Sequence, residues 1–266
     1  MMPRKFQVGL RFGTSVVAAA GLLGAGAVMA VERPDFSGVW ERDPPLHAPG
    51  LSANEVFGAG AVAESGRLNG GEPQLREPYA TRYRRYQEKK RQTESAGKAN
   101  LDASIQCLPQ GVPMLMMAIL PLEIMQSRTK LLILAEELAQ TRRVYIGEKM
   151  PPLEEIPPGY FGFSVAQWQG DTLVVRTQGI REDVQFLDMP HSSAMSVTER
   201  LRLTGNHRLE DQITVDDPTV LVRPYSLTYH YKLNPAYKVG EYVCDHNHYT
   251  PDGQGGVNFD ATPVQK

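Results

Sequence analysis

Between Pro121 and Leu233 the chain is a run of short segments that alternate apolar and polar residues, separated by turn signals. "PLEIMQS" and "TKLLILAEE" stand at hairpin spacing, and "TRRVYIGE" follows them. Beyond the Pro-interrupted loop "MPPLEEIPPGY", "YFGFSVAQW" and "DTLVVRT" are joined through "QGD", while "AMSVTERLRL" and "LEDQITVDD" flank "TGNHR". Both connections are tight-turn signals. "YSLTYHYKL" and "GEYVC" complete the set, and "RPDFSGVWERD" supplies an early strand in which Gly38 permits close packing. Roughly nine or ten strands at this spacing, with no helix alternating between them, predict an antiparallel barrel or sandwich. The expected fold class is mainly β, an antiparallel β-barrel.

Upstream of the strands the pattern changes. Residues 44–106 read as a long loop plus a helix packed on the barrel, the helix falling in "EPYATRYRRYQEKKRQTESAGK". Tyr79, Tyr83 and Tyr86 stand at i, i+4 and i+7 and form one stripe, with Arg and Lys on the other sides. That stripe suits docking on a barrel wall or a lid over a ligand, and the charge run suits a solvated face.

The first 30 residues have the three parts of an export signal. Arg4, Lys5 and Arg11 precede an apolar Ala/Gly-rich run that ends in "AVMA", so cleavage after Ala30 is expected, with an uncleaved anchor as the alternative. The mature part is then a single β domain, residues 31–266, periplasmic or secreted, with no later stretch approaching a membrane span. Losing the three cations takes the formal charge from −2 to −5. That acidity argues against nucleic acid and anionic membrane as partners. Of the chain's two cysteines, Cys107 and Cys244, an even pair in an oxidising compartment is most simply one disulfide; a thiol nucleophile is the rival.

Several stretches occur in a specific order: "PDFSGVW", "WQGDTLVVRT" from Trp168, "PHS" at Pro190, "VTER" at Val197, "DDP" at Asp216 and "EYVC" at Glu241. Together they resemble a large family of exported, mostly uncharacterised bacterial proteins abundant in proteobacteria that degrade complex organic compounds. That resemblance implies no settled activity. The opening G-x-W strand also resembles lipocalin-like barrels, which implies a ligand-holding interior.

Within "PHSSAMSVTERLRL", strand parity places Glu199 on the face of Met195, Val197, Leu201 and Leu203. A carboxylate among apolar residues loses hydration, so it is either a general acid/base in a cavity or the partner of a buried Arg. His191 precedes the strand and borders the same expected cavity or stabilises a turn, with Asp188 placed to orient its imidazole. Arg143 and Tyr145 share one strand face and Val144 and Ile146 the other. If the polar pair faces inward it can hold a carboxylate or phenol; otherwise the aliphatics form the core.

Glu123 and Gln126 are further contact candidates, and Tyr160, Phe163, Trp168 and Tyr229 are candidate wall residues. His246 and His248, with Asp245 or Asp252 nearby, raise a metal site without filling one. No G-x-S-x-G, H-E-x-x-H, Walker, GxGxxG or CxxCH motif is present, so the expected chemistry uses no cofactor. The expectation is a pocket for a small hydrophobic, aromatic molecule. Glu199 and His191 would act as proton-transfer residues of a cofactor-independent lyase, decarboxylase or isomerase. The alternative is a non-catalytic ligand-binding or envelope interaction protein, with a homo-oligomer open in either case.

Overall fold

Apolar alternation in the strand segments is resolved by closing the sheet on itself. In a computed structural model, which describes residues 33–43, 71–100, 103–184, 186–205, 207–244, 249–253 and 256–259, nine strands form a closed barrel. They are β1 (Gly38–Arg42), β3 (Leu122–Gln126), β4 (Lys130–Ala135), β5 (Gln140–Ile146), β6 (Phe163–Gln169), β7 (Thr172–Gln178), β8 (Ser196–Leu203), β9 (Arg208–Asp216) and β10 (Tyr225–Leu233). Closure comes from β1, which pairs with β10 through Trp40↔Leu233 and with β3 through Gly38↔Ile124. A Cβ on Gly38 would lie 2.6 Å from Leu233 Cδ1, so the absent side chain is what lets the closing strand sit there. The expected export signal, residues 1–30, and residues 44–70 of the expected long loop lie outside the described residues.

Two expectations are corrected. The barrel is mixed: β5 and β6 run parallel, with Val144 opposite Ser164. A parallel pair needs a crossover of a dozen residues or more, and the Pro-rich stretch between Ile146 and Phe163 provides it. "GEYVC" forms no strand, and Val243 is 76% exposed. With β1 already hydrogen-bonded to both β10 and β3, the barrel has no free edge for another strand. The end of that segment is instead tied by the Cys107–Cys244 disulfide, Cα–Cα 5.6 Å. Beyond it, β11 (Tyr249–Pro251) and β12 (Gly256–Phe259) join the early strand β2 (Ala99–Asn100) in a small separate sheet.

Helix α1 (Tyr79–Ser95) lies where the tyrosine stripe places it. Tyr83 packs against the hydrophobic core, and Gln87 and Lys90 both donate to Asp188 Oδ2, at 3.1 and 2.8 Å. Side chains plug the barrel at both ends. Phe36 stacks on Trp168 at a centroid distance of 5.7 Å at one end. At the other, the 3-10 turn Met114–Met117 buries Leu115, Met116 and Met117, so the methionine cluster fills core. No helix among the described residues is long and apolar enough to cross a membrane.

Candidate functional site

An Arg answers Glu199. Alternation in β8 turns Val197, Glu199 and Leu201 into the barrel, and Glu199 is completely buried. From β5, Arg142 enters on the same face as Val144 and Ile146 and is 1% exposed. Its Nη1 donates to Glu199 Oε1 at 2.7 Å and its Nη2 to Oε2 at 2.5 Å, a bidentate pair. Nη2 also donates to Thr177 Oγ1 at 3.0 Å, and Nε and Nη2 reach Ser164 Oγ at 3.4 and 3.3 Å. The two hydroxyls bond each other at 2.8 Å. Burial by itself pulls the guanidinium pKa down, but the charge and hydrogen bonds of Glu199, together with Asp211 and Tyr231, outweigh it, so the net shift is upward.

Beside this pair lies a second acid. Asp211 points inward from β9, opposite Leu201 on β8 and Tyr229 on β10, one diagonal step from Glu199. It is completely buried, and neither carboxyl oxygen has a hydrogen-bond partner. Burial pushes its pKa well above the ordinary aspartate value; the neighbouring Glu199 adds to the rise and Arg142 only partly opposes it. Tyr231, also buried, donates from its hydroxyl to the carbonyl of Met116. Burial, then Asp211 and Tyr229, push that phenol's pKa upward. The Arg42 guanidinium lies 4.9 Å from the Tyr229 ring centroid.

His191 stands apart from this interior. Its Nε2–H donates to the Val184 carbonyl at 2.7 Å, and Nδ1 lies 3.2 Å from the Ser192 carbonyl. The imidazole is thus held by backbone, while Asp188, expected to orient it, is engaged by Gln87 and Lys90 of α1. The next residue is anchored as well: Ser192 donates its N–H and hydroxyl to Asp217 at 2.6 and 2.9 Å. Asp217 Oδ1 further accepts from the N–H groups of Thr219 and Val220. "PHS" and "DDP" therefore lock each other across the mouth of the barrel. A small cavity beside His191 is lined by Phe186, Met195, Asp217 and Leu221 among others.

No protein-family model and no curated protein matches the chain. The remaining predicted residues are dispersed. Arg143 is exposed on the outer wall, and Tyr145 stacks there on Phe163 at 5.2 Å beneath Lys130. Glu123 faces outward from β3. Gln126 is a tie, accepting from Phe36 N–H at 3.0 Å and donating to the Pro34 carbonyl at 2.8 Å. Tyr160 lies under the Arg181 guanidinium, 4.7 Å from its centroid, and Trp168 is stacked on Phe36. Glu199 and Tyr229 share the middle of the interior, Trp168 closes one end, and Glu199 and His191 do not meet.

Cys107 and Cys244 are bonded, so neither is a free thiol. Among the described residues no group of three His, Cys, Asp or Glu side chains is placed to hold a metal ion; His246 and His248 lie outside them. Sequence reasoning missed Arg142, Asp211, Ser164, Thr177 and Tyr231. The signal for two of them was present: Arg142 shares parity with Val144 and Ile146, and Asp211 with Leu209, Ile213 and Val215.

Proposed function

We propose that this chain is an exported barrel protein that acts by non-catalytic binding, as a periplasmic or secreted ligand-binding or envelope interaction protein. The export-type N-terminus and the disulfide support the location. One observation carries the binding reading: the acid/base and anchoring groups expected from the sequence, Glu199, His191, Arg143 and Tyr145, do not converge. Glu199 is neutralised by Arg142 inside the barrel, whereas Arg143 and Tyr145 lie on the opposite side of the sheet. A carboxylate held in a bidentate pair with a guanidinium and shut away from solvent is not presented to a substrate. The partner class remains a small hydrophobic or aromatic molecule. Membership of the exported bacterial family is part of the same reading.

A thermal-shift and turnover panel of aromatic acids and phenols, run on the mature chain and on Glu199→Gln, tests it. Ligand-dependent stabilisation of the mature chain without consumption of the ligand supports binding. Turnover by the wild type that Glu199→Gln abolishes while it still binds overturns it. The second reading, a cofactor-independent lyase or isomerase, is favoured by Asp211, whose carboxyl oxygens are both unpartnered. In that case turnover is lost in Asp211→Asn and survives in Glu199→Gln.

A further inference from the structure

Arg142, Glu199 and Asp211 lie together inside the barrel, and the hydrogen bonds of the Arg142 guanidinium are already assigned. Arg142 directs its bonds to Glu199, Ser164 and Thr177, and none to Asp211. Facing Asp211 from β8 is Glu199, which carries like charge, and from β10 come Tyr229 and Tyr231. The Tyr231 hydroxyl is donated to Met116, and Arg42 of β1 lies against the Tyr229 ring. The neighbouring Glu210 faces away and is paired with Arg202 at 2.6 Å. Among the described residues no donor is aimed at either oxygen of Asp211, which is wholly excluded from solvent. An ionised carboxylate in such surroundings loses its hydration with only the partial compensation of the nearby Arg142 charge, whereas a protonated one loses far less.

We propose that Asp211 is a proton-binding site of the folded barrel, carrying its proton at neutral pH, so that folding takes up one proton and alkaline conditions loosen the barrel. The direction follows from linkage. An acid whose proton is held more tightly in the folded state stabilises fully below its unfolded pKa, near the ordinary aspartate 3.8. That contribution is lost as pH rises towards the raised folded value. Between the two, each pH unit multiplies the unfolding constant by about ten for this one proton. This inference is independent of whether the protein binds or transforms a ligand. It also makes the fold responsive to the medium, to which an exported chain is directly exposed.

The experiment is urea unfolding of the mature chain at several pH values from about 5 to 8. Wild type is compared with Asp211→Asn and with Asp211→Leu, which keep shape but cannot ionise. The wild-type unfolding constant should rise by up to about tenfold per pH unit relative to either variant. Parallel pH profiles for wild type and variants overturn the proposal. A measurement on the wild type alone covers the case in which neither variant folds: NMR titration of the chain with carbon-13 in its aspartate carboxyl groups. One aspartate carboxyl carbon should keep the shift of the protonated form at pH 7, and a full set of ionised carboxylates overturns the proposal.

Discussion

Replacing Arg142 by Met removes the guanidinium while keeping an unbranched side chain in the same space. Ser164 and Thr177 then retain each other at 2.8 Å, so neither hydroxyl is stranded. Glu199 is the group left behind, completely buried and with both of its bonds from Arg142 gone. Breaking a buried ion pair by removing one partner costs about 3–5 kcal/mol, because the other charge remains uncompensated. Against a domain stability of about 5–15 kcal/mol, that is a large share of the total.

The companion variant Arg142→Met with Glu199→Leu removes both charges together. Apolar replacement of a whole buried pair is often neutral or stabilising, so the double variant should recover most of what the single one loses. Urea unfolding followed by the fluorescence of Trp40 and Trp168 reads all the states, and with Glu199→Leu it completes a double-mutant cycle. A loss below about 1 kcal/mol for Arg142→Met would mean that the pair is not the closed, desolvated unit described above. A double variant no better than the single would point to the guanidinium's hydroxyl contacts or its packing, and would refute the charge argument.

Opening the Cys107–Cys244 loop, 137 residues in sequence separation, should cost about 5 kcal/mol in the chain-entropy model. The paired change Cys107→Ser with Cys244→Ser, compared with wild type under non-reducing urea unfolding, measures it; a midpoint unchanged between the two would show that the loop is already constrained. Asp217→Asn exchanges a carboxylate that accepts four hydrogen bonds, two from Ser192 and one each from Thr219 and Val220, for an amide with one acceptor oxygen. It should lose about 1–3 kcal/mol and raise amide exchange at Ser192, Thr219 and Val220. Exchange spread evenly over the barrel would argue against a local lock.

Parity and turn chemistry were sufficient to locate the strands from β3 to β10, because a half-buried strand repeats every two residues whatever it packs against. The tyrosine stripe located α1, and counting cysteines gave the disulfide. The same parity placed Glu199 inside. What parity does not carry is direction in three dimensions. For Arg143 against Arg142, it offered two faces, and the aliphatic Val144 and Ile146 took Arg142 inward with them. The parallel pairing of β5 and β6 was carried by the length of their connection and not by either strand. Asp211 was overlooked for a related reason: an acid in a strand reads as ordinary until its cross-strand neighbours, Leu201 and Tyr229, are known.

The chain's own order of residues thus determined a mainly β protein with one disulfide and a carboxylate on an apolar face. Tertiary structure decided which partner met that carboxylate. Hydration energy depends on what surrounds a group from every side, and in a closed barrel those surroundings come from strands distant in sequence. Residues 142 and 199 meet only because β5 and β8 are drawn around the same axis. Closure left Glu199 with a guanidinium and left Asp211 with none.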